Sequence, residues 1–327
     1  MKTKVTASAP GKLMLLGEHA VLYGRPCIVT AVNQRMKATV ELLDKPIFRL
    51  EAPDVGITDY KKPMSKLGTG DIPRGAKFVE IAVKNFTHSK IDLKKLKGIK
   101  VTTQSEFSSQ FGFGSSSAST VCAIKALSKI TNTDLNSKAI FNLSYKTVLD
   151  IQGKGSGFDV AAAVYGGTLY FITGGKTVTP LKIDSIPLII GYSGIKTDTV
   201  ALVNQVLEKA KKHPEVIENI YDSIGKLMEQ AKTAVLSKDW STLGELMNFN
   251  EGYLSALGVE GKKLAGMIYS ARKAGAYGAK LSGAGIGDCM IALASPNKTN
   301  AVKKAIIKAG GTTVNITVNA PGARIEK

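Results

Sequence analysis

The segment Phe111-Gly-Phe-Gly-Ser-Ser-Ser-Ala-Ser119 has the composition of a phosphate cradle. It lies where a strand-like stretch, Gly98 to Ser105, feeds a helical one, Ala118 to Lys129. The opening amides of a helix have no intrahelical acceptor and carry partial positive charge, so an anion can dock there. Gly112 and Gly114 remove the Cβ atoms that would block close approach, and Ser115, Ser116 and Ser117 can donate to phosphate oxygens or ligate Mg²⁺. A glycine turn with serine caps would use the same residues, so this segment alone leaves both readings open.

Two more clusters could share such a site. Ala9 to Gly24 sets Lys12 before an apolar run and the pair Glu18-His19 after it, around a turn at Gly17. Gln152 to Asp159 is a glycine-rich loop that delivers one carboxylate, Asp159, into the small-residue run Val160 to Ala163. A carboxylate presented in this way can accept a hydroxyl proton, and a neighbouring ammonium such as Lys12 would lower its pKa. Taken alone, Asp159 could equally cap the helix that follows. A third glycine cluster, Lys280 to Cys289, reads as structural support rather than chemistry. Other nucleotide fingerprints fail. Gly174-Gly-Lys-Thr177 would need glycine where Tyr170 stands to be a P-loop, and Gly283 to Gly287 lacks the dinucleotide-binding spacing.

The elements that must position these groups begin with extended segments: Val5 to Ala9, Leu13 to Leu16, Cys27 to Val32 and Thr39 to Leu43 imply an N-terminal sheet. Residues 52–75 carry Pro53, Pro63, Gly68, Gly70 and Pro73 and read as a loop or lid. Phe78 to Phe86 and Lys138 to Asp150 have helical spacing, and Thr168 to Thr173 and Leu188 to Tyr192 are strand-like. Long amphipathic helices follow at 200–212, 214–235, 239–255 and 260–274. Strand signals return at Cys289 to Ala294 and Thr313 to Val318, around a helix at 299–309. The change of character near residue 185 divides the chain into domains 1–185 and 186–327. An α+β fold with antiparallel-leaning sheets fits this order better than a doubly wound one.

Composition narrows the partners. No apolar run reaches the ~18 residues of a membrane span, and the first residues lack a signal-peptide core, so a soluble cytoplasmic protein without a membrane partner is expected. Cys27, Cys122 and Cys289 are widely spaced and odd in number, which suits buried free thiols rather than disulfides or zinc. The net charge of +18 favours an anionic partner. Lys94, Lys95, Lys97 and Lys100, and Lys209, Lys211 and Lys212, read as solvated faces; without interleaved aromatic residues they argue against nucleic acid. Monomer or homodimer stays open.

Together, in this order and at these distances, the clusters resemble the motifs of the GHMP kinases, and the similarity spans essentially the whole chain. The resemblance implies a ribosomal-protein-S5-like N-terminal domain, a ferredoxin-like C-terminal domain, and phosphoryl transfer from MgATP to a small molecule. It places the ATP phosphates on Gly112, Gly114, Ser115, Ser116 and Ser117, with Ser116 as a Mg²⁺ ligand. Asp159 matches the catalytic aspartate, Lys12 its lysine partner, Glu18 and His19 the acceptor site, and Thr199 a substrate-binding hydroxyl within Ser193 to Thr199. The acceptor implied by Pro10 to Gly24 is mevalonate, phosphorylated on its 5-hydroxyl in isoprenoid biosynthesis.

Three departures bear on that acceptor. Members acting on mevalonate commonly carry a Mg²⁺-binding glutamate eleven residues before the catalytic aspartate; Val148 stands here, and the nearest acid, Asp150, is turned by about 200° around a helix. Gly155 to Gly166 and Gly287 to Cys289 are more similar to members acting on 5-phosphomevalonate, which is the alternative acceptor. A basic RNA-binding protein without enzymatic activity is the remote alternative, resting on the charge and the S5-like fold.

Overall fold

The computed structural model describes residues 3–89 and 96–327. The expected N-terminal segments merge into two long strands, β1 (Lys4–Leu16) and β2 (Cys27–Leu43), paired antiparallel. Their register breaks between Pro10 and Lys12 and again between Met14 and Leu16. Such irregularities re-aim side chains, and here they flank the residues expected to do chemistry.

After β3 (Ile47–Ala52) the structure corrects the loop expected at 52–75, because β4 (Ile57–Pro63) pairs antiparallel with β3. Its Lys61, Lys62 and Pro63 are typical of a sheet edge, which is why its composition reads as loop. This hairpin is pinned to α1 (Lys77–His88) by the buried carboxylate of Glu80. Glu80 accepts from the Tyr60 hydroxyl (2.6 Å), the Lys62 ammonium (2.9 Å) and the Gly68 amide (2.7 Å).

β5 (Gly98–Ser105) lies between β2 and β3, parallel to β3 and antiparallel to β2. Then come α2 (Ser115–Ile130), α3 (Ser137–Gln152) and α4 (Phe158–Tyr165). α2 and α4 pack on β1 and β2, so both helix openings meet the middle of β1. β6 (Thr168–Ile172) joins the first half of β2, and β7 (Thr177–Leu181), absent from the sequence reading, pairs with β6.

β8 (Leu188–Tyr192) starts a second sheet. Helices α5 (Thr199–Lys212), α6 (Pro214–Ser237), α7 (Trp240–Ala256) and α8 (Lys262–Lys273) follow as their spacing predicts. β9 (Gly278–Ser282), β10 (Cys289–Leu293), α9 (Thr299–Lys308) and β11 (Thr312–Val314) complete this half, with strand order β11-β8-β10-β9, all antiparallel.

The chain end then crosses back. Val318 bridges to Val32, and β12 (Arg324–Ile325) pairs with β1. The buried Arg35 guanidinium fixes this return by donating to the carbonyls of Pro321 and Gly322 (both 2.8 Å). Largely antiparallel sheets, with one parallel pairing among the described residues, between β3 and β5, agree with the α+β expectation.

The three cysteines are free and buried. Lys97 is exposed, Lys100 pairs with Glu51 and Lys211 with Glu208, while Lys94 and Lys95 lie outside the described residues. No helix among the described residues is long and apolar enough to cross a membrane.

Candidate active site

The structure caps α3, α5 and α7 with side chains, through Asn136, Asp198 and Asp239. α2 instead opens on Gly114 in a left-handed conformation (φ 78°) with no side-chain cap. The amides at the start of this 16-residue helix therefore face outward without a local acceptor. Ser115 and Ser116 stand half-buried in the first turn, and Ser117 is buried behind them.

Lys12 crosses this opening from β1. Its ammonium donates to the Gly112 carbonyl (2.9 Å), its amide donates to the Phe113 carbonyl (2.9 Å), and its charge sits 5.3 Å from the Phe158 ring centroid. Burial pushes the Lys12 ammonium below its ordinary pKa, against the opposing attraction of Asp159 and then Asp288.

Asp159 lies in the first turn of α4, which also opens on an uncapped left-handed glycine, Gly157. It accepts from the Val160 amide (3.0 Å) and from the Ser117 hydroxyl, so the carboxylate is tied to α2. A Cβ on Gly114 would sit 3.3 Å from Lys12 Cε and 3.7 Å from Asp159 Cβ, which places loop, ammonium and carboxylate in one small volume. Gly114→Ala should therefore fold yet bind nucleotide poorly. The left-handed backbone costs an alanine about 1–2 kcal/mol, and the methyl presses on Lys12, so KM for ATP should rise ~10-fold in initial-rate assays. An unchanged KM for ATP would remove this loop from the nucleotide site.

Glu18 and His19 follow β1 in the turn that begins at Gly17. Both are buried. His19 adopts φ 59°, a rare conformation for a residue with a Cβ, and its Nε2 donates to the Ala284 carbonyl (2.8 Å). Burial lowers the His19 pKa, opposed by that carbonyl, so the ring is neutral at pH 7 and Nδ1 is left as its acceptor. Glu18 pairs with the ammonium of Lys280, in a contact where both side chains are buried. The third glycine cluster thus supplies a cation and a carbonyl to the Glu18-His19 turn.

That cluster also supplies Asp288, which sequence reasoning missed. Its Oδ1 accepts from the Lys196 ammonium (3.1 Å) and the Thr197 amide (3.2 Å). Its Oδ2 would stand 2.6 Å from a Cβ on Gly112, so Asp288 packs between segment 193–199 and the 112–119 loop. Gly287 has to be glycine here, because a Cβ would meet the Ile195 carbonyl at 2.6 Å.

Asp150 and Thr199 make no hydrogen bond or ion pair with Lys12 or Asp159 among the described residues. Asp150 accepts from Asn85 (2.8 Å) and Lys146 (2.5 Å) on the outer side of α3, away from Lys12 and Asp159. Thr199 is exposed as the first residue of α5 and makes no side-chain hydrogen bond among the described residues. Thr197 is the hydroxyl of this segment held in the site region, donating to the Gly285 carbonyl (2.7 Å).

An uncapped helix opening crossed by a lysine and flanked by a carboxylate suits transfer of a phosphoryl group, and comparison with known proteins agrees. Residues 77–167 match the family described as the GHMP kinases N terminal domain, and residues 231–312 match GHMP kinases C terminal. The chain belongs to the GHMP kinases, and as a member it uses ATP.

A relative from Pyrococcus furiosus named mevalonate kinase is 38% identical, covering 99% of both chains. The crystal structure of the Methanococcus jannaschii mevalonate kinase is 26% identical, with a TM-score of 0.78 over 95% of this chain and 97% of that one. A Streptococcus pneumoniae phosphomevalonate kinase structure has a TM-score of 0.79 at 17% identity, covering 96% of this chain and 99% of that one. Fold similarity alone therefore does not separate the two acceptors.

Proposed function

We propose that this chain transfers the γ-phosphoryl group of ATP to the 5-hydroxyl of mevalonate. The observation that carries the acceptor is the 38% identity to a mevalonate kinase along essentially the full length of both chains. The buried Glu18–Lys280 pair and the neutral His19 supply a polar acceptor end suited to it.

The opening amides of α2, with Ser115 and Ser117, bind the triphosphate. The acceptor hydroxyl lies between the Glu18-His19 turn and Asp159, where Asp159 takes its proton as the new P–O bond forms. Lys12 stabilises charge on the transferring group, and His19 Nδ1 accepts a hydrogen bond from the substrate. In a loose transition state, positioning and electrostatics supply most of the acceleration.

No group of three His, Cys, Asp or Glu residues among the described residues could cage a metal. Mg²⁺ is ordinarily held by one or two protein oxygens together with nucleotide phosphates and water, and the half-buried hydroxyl of Ser116 at the α2 opening and the carboxylate of Asp159 are oxygens of that kind. Ser116 would hold it, with Asp159 as the neighbouring carboxylate. When bound, Mg²⁺ neutralises phosphate charge.

ADP release measured with mevalonate and with 5-phosphomevalonate tests the acceptor. Mevalonate should give the higher kcat/KM by at least ~100-fold, or about 2.7 kcal/mol of discrimination. Preference for 5-phosphomevalonate would replace this reading with the alternative acceptor, for which the resemblance of Gly155 to Gly166 and Gly287 to Cys289 speaks.

A further inference from the structure

α7 carries two adjacent polar residues, Asn250 and Glu251, on its buried face, one binding the residue before Glu18 and the other the residue after Glu18's partner Lys280. Asn250 Oδ1 accepts from the amide of Gly17 (3.0 Å), the residue before Glu18. Glu251 Oε2 accepts from the amide of Leu281 (2.8 Å), the residue after Lys280. Lys280 itself donates to Glu18 Oε1 and to the Leu281 carbonyl. The buried Lys280 ammonium thus pairs with one buried carboxylate, Glu18, while a second, Glu251, sits within reach of its charge without contacting it. Glu18 Oε2 and Glu251 Oε1 both lack a hydrogen-bond partner among the described residues.

Lys280 is paired with Glu18 and the Arg272 guanidinium donates to the Ala279 carbonyl, so an ionised Glu251 has no cation in direct contact, and either it carries a proton or the cluster has to rearrange. We infer that Glu251 is a positioning residue for the acceptor pocket: as a neutral acid it leaves Lys280 committed to Glu18, and as a carboxylate it competes for that ammonium and loosens the Glu18-His19 turn. This inference rests on the reading of Glu18 and His19 as the acceptor end of the site.

The groups facing Glu251 are Lys280 on β9, Glu18 in the turn after β1, Glu260 before α8, and Arg272 on α8. Burial pushes Glu251 up to about 7; Lys280 and the Leu281 amide pull it down, and Glu260 and Glu18 push it further up. A raised carboxyl pKa means that the neutral form belongs to the folded state. The stability it confers is full below the ordinary glutamate value and declines as pH rises to about 7. Above that pH Glu251 is ionised and the competition for Lys280 begins.

The test is the pH dependence of acceptor KM against ATP KM in wild type, Glu251→Gln and His19→Gln. Gln keeps an acceptor for the Leu281 amide but cannot ionise. Wild-type KM for mevalonate should rise ~3- to 10-fold from pH 6 to pH 8.5, with KM for ATP steady, an effect of the size expected for a displaced charge-assisted contact. Glu251→Gln should flatten that rise and melt at a higher temperature than wild type at pH 8. A purely structural Glu251 would lower activity at every pH without changing the profile, and this outcome overturns the inference. So does a flat wild-type profile, which needs no variant to fold. If His19→Gln leaves KM for mevalonate unchanged, the acceptor-site reading itself fails. A His19 effect with no Glu251 effect sinks only the present inference.

Discussion

Asp159→Asn lowers kcat by ~10³-fold or more while the dissociation constant for ATP changes less than ~3-fold. Loss of a positioned general base is worth about 10²- to 10⁴-fold, and ~10³-fold corresponds to about 4 kcal/mol of barrier. The upper part of that range is expected because the Asp159 carboxylate also faces the half-buried Lys12 ammonium, whose charge it helps to hold.

The substitution should not unfold the protein. Asp159 lies in the first turn of α4, outside the apolar core, and an Asn oxygen still accepts from the Ser117 hydroxyl. The Lys12 pKa should fall further without its strongest opposing carboxylate, so the loss of residual activity with rising pH should begin at lower pH in the variant. Single-turnover measurements with separately determined ATP binding check both statements. A variant that keeps kcat within ~10-fold of wild type would show that Asp159 does not take the proton.

The route to this prediction was largely open in the sequence. Lys12, the 112–119 loop and Asp159 each carry a local signature: a lysine beside a register break inside β1, or glycines before a helix. The long helices were legible for a similar reason, since α5 to α9 each carry an apolar face at helical period.

What the sequence hid depends on contacts between distant residues. β4 and β7 are short, polar edge strands whose pairing is visible only beside β3 and β6. The return of the chain end to β1 depends on Arg35, nearly 300 residues upstream of the carbonyls it binds. Lys280 and Glu251 did leave a signal. Lys280 is a cation inside the otherwise apolar or small strand Gly278–Ser282, every residue of which is buried. In α7, Leu243, Met247, Asn250 and Leu254 recur at helical spacing, so Asn250 and Glu251 fall on the buried face. A charge on such a face demands a partner, but nothing local says which one. Asp150 is the complementary case. Proximity along a helix brought it near the expected position, but its side chain faces Lys146 and Asn85 on the outer surface.

The largest stability effect is expected at Lys280. Both Lys280 and Glu18 are essentially inaccessible, at 0% and 1% side-chain exposure, so the pair is not screened by water. Their joint contribution relative to an apolar pair is small, because desolvation offsets most of the attraction. Removing one member is different. Lys280→Met leaves Glu18 buried without a cation and should cost about 3–5 kcal/mol, read as a lower urea midpoint.

The double variant Lys280→Met with Glu18→Gln should recover most of that loss, since no buried charge is left unpaired. The coupling between the two substitutions should exceed ~2 kcal/mol. The cost of the single variant should also be greater at pH 8 than at pH 6. Lys280 is what lets Glu251 ionise near pH 7, and without it Glu251 stays protonated to higher pH, so its folded form goes on losing stability after the wild type has levelled off. A single variant that costs less than ~1 kcal/mol, or a double variant that recovers nothing, would mean that Glu18 finds other compensation. The junction between the first motif and the third glycine cluster would then be held by the Ser282 and His19 hydrogen bonds, with Asn250 bracing Gly17 from α7, rather than by charge.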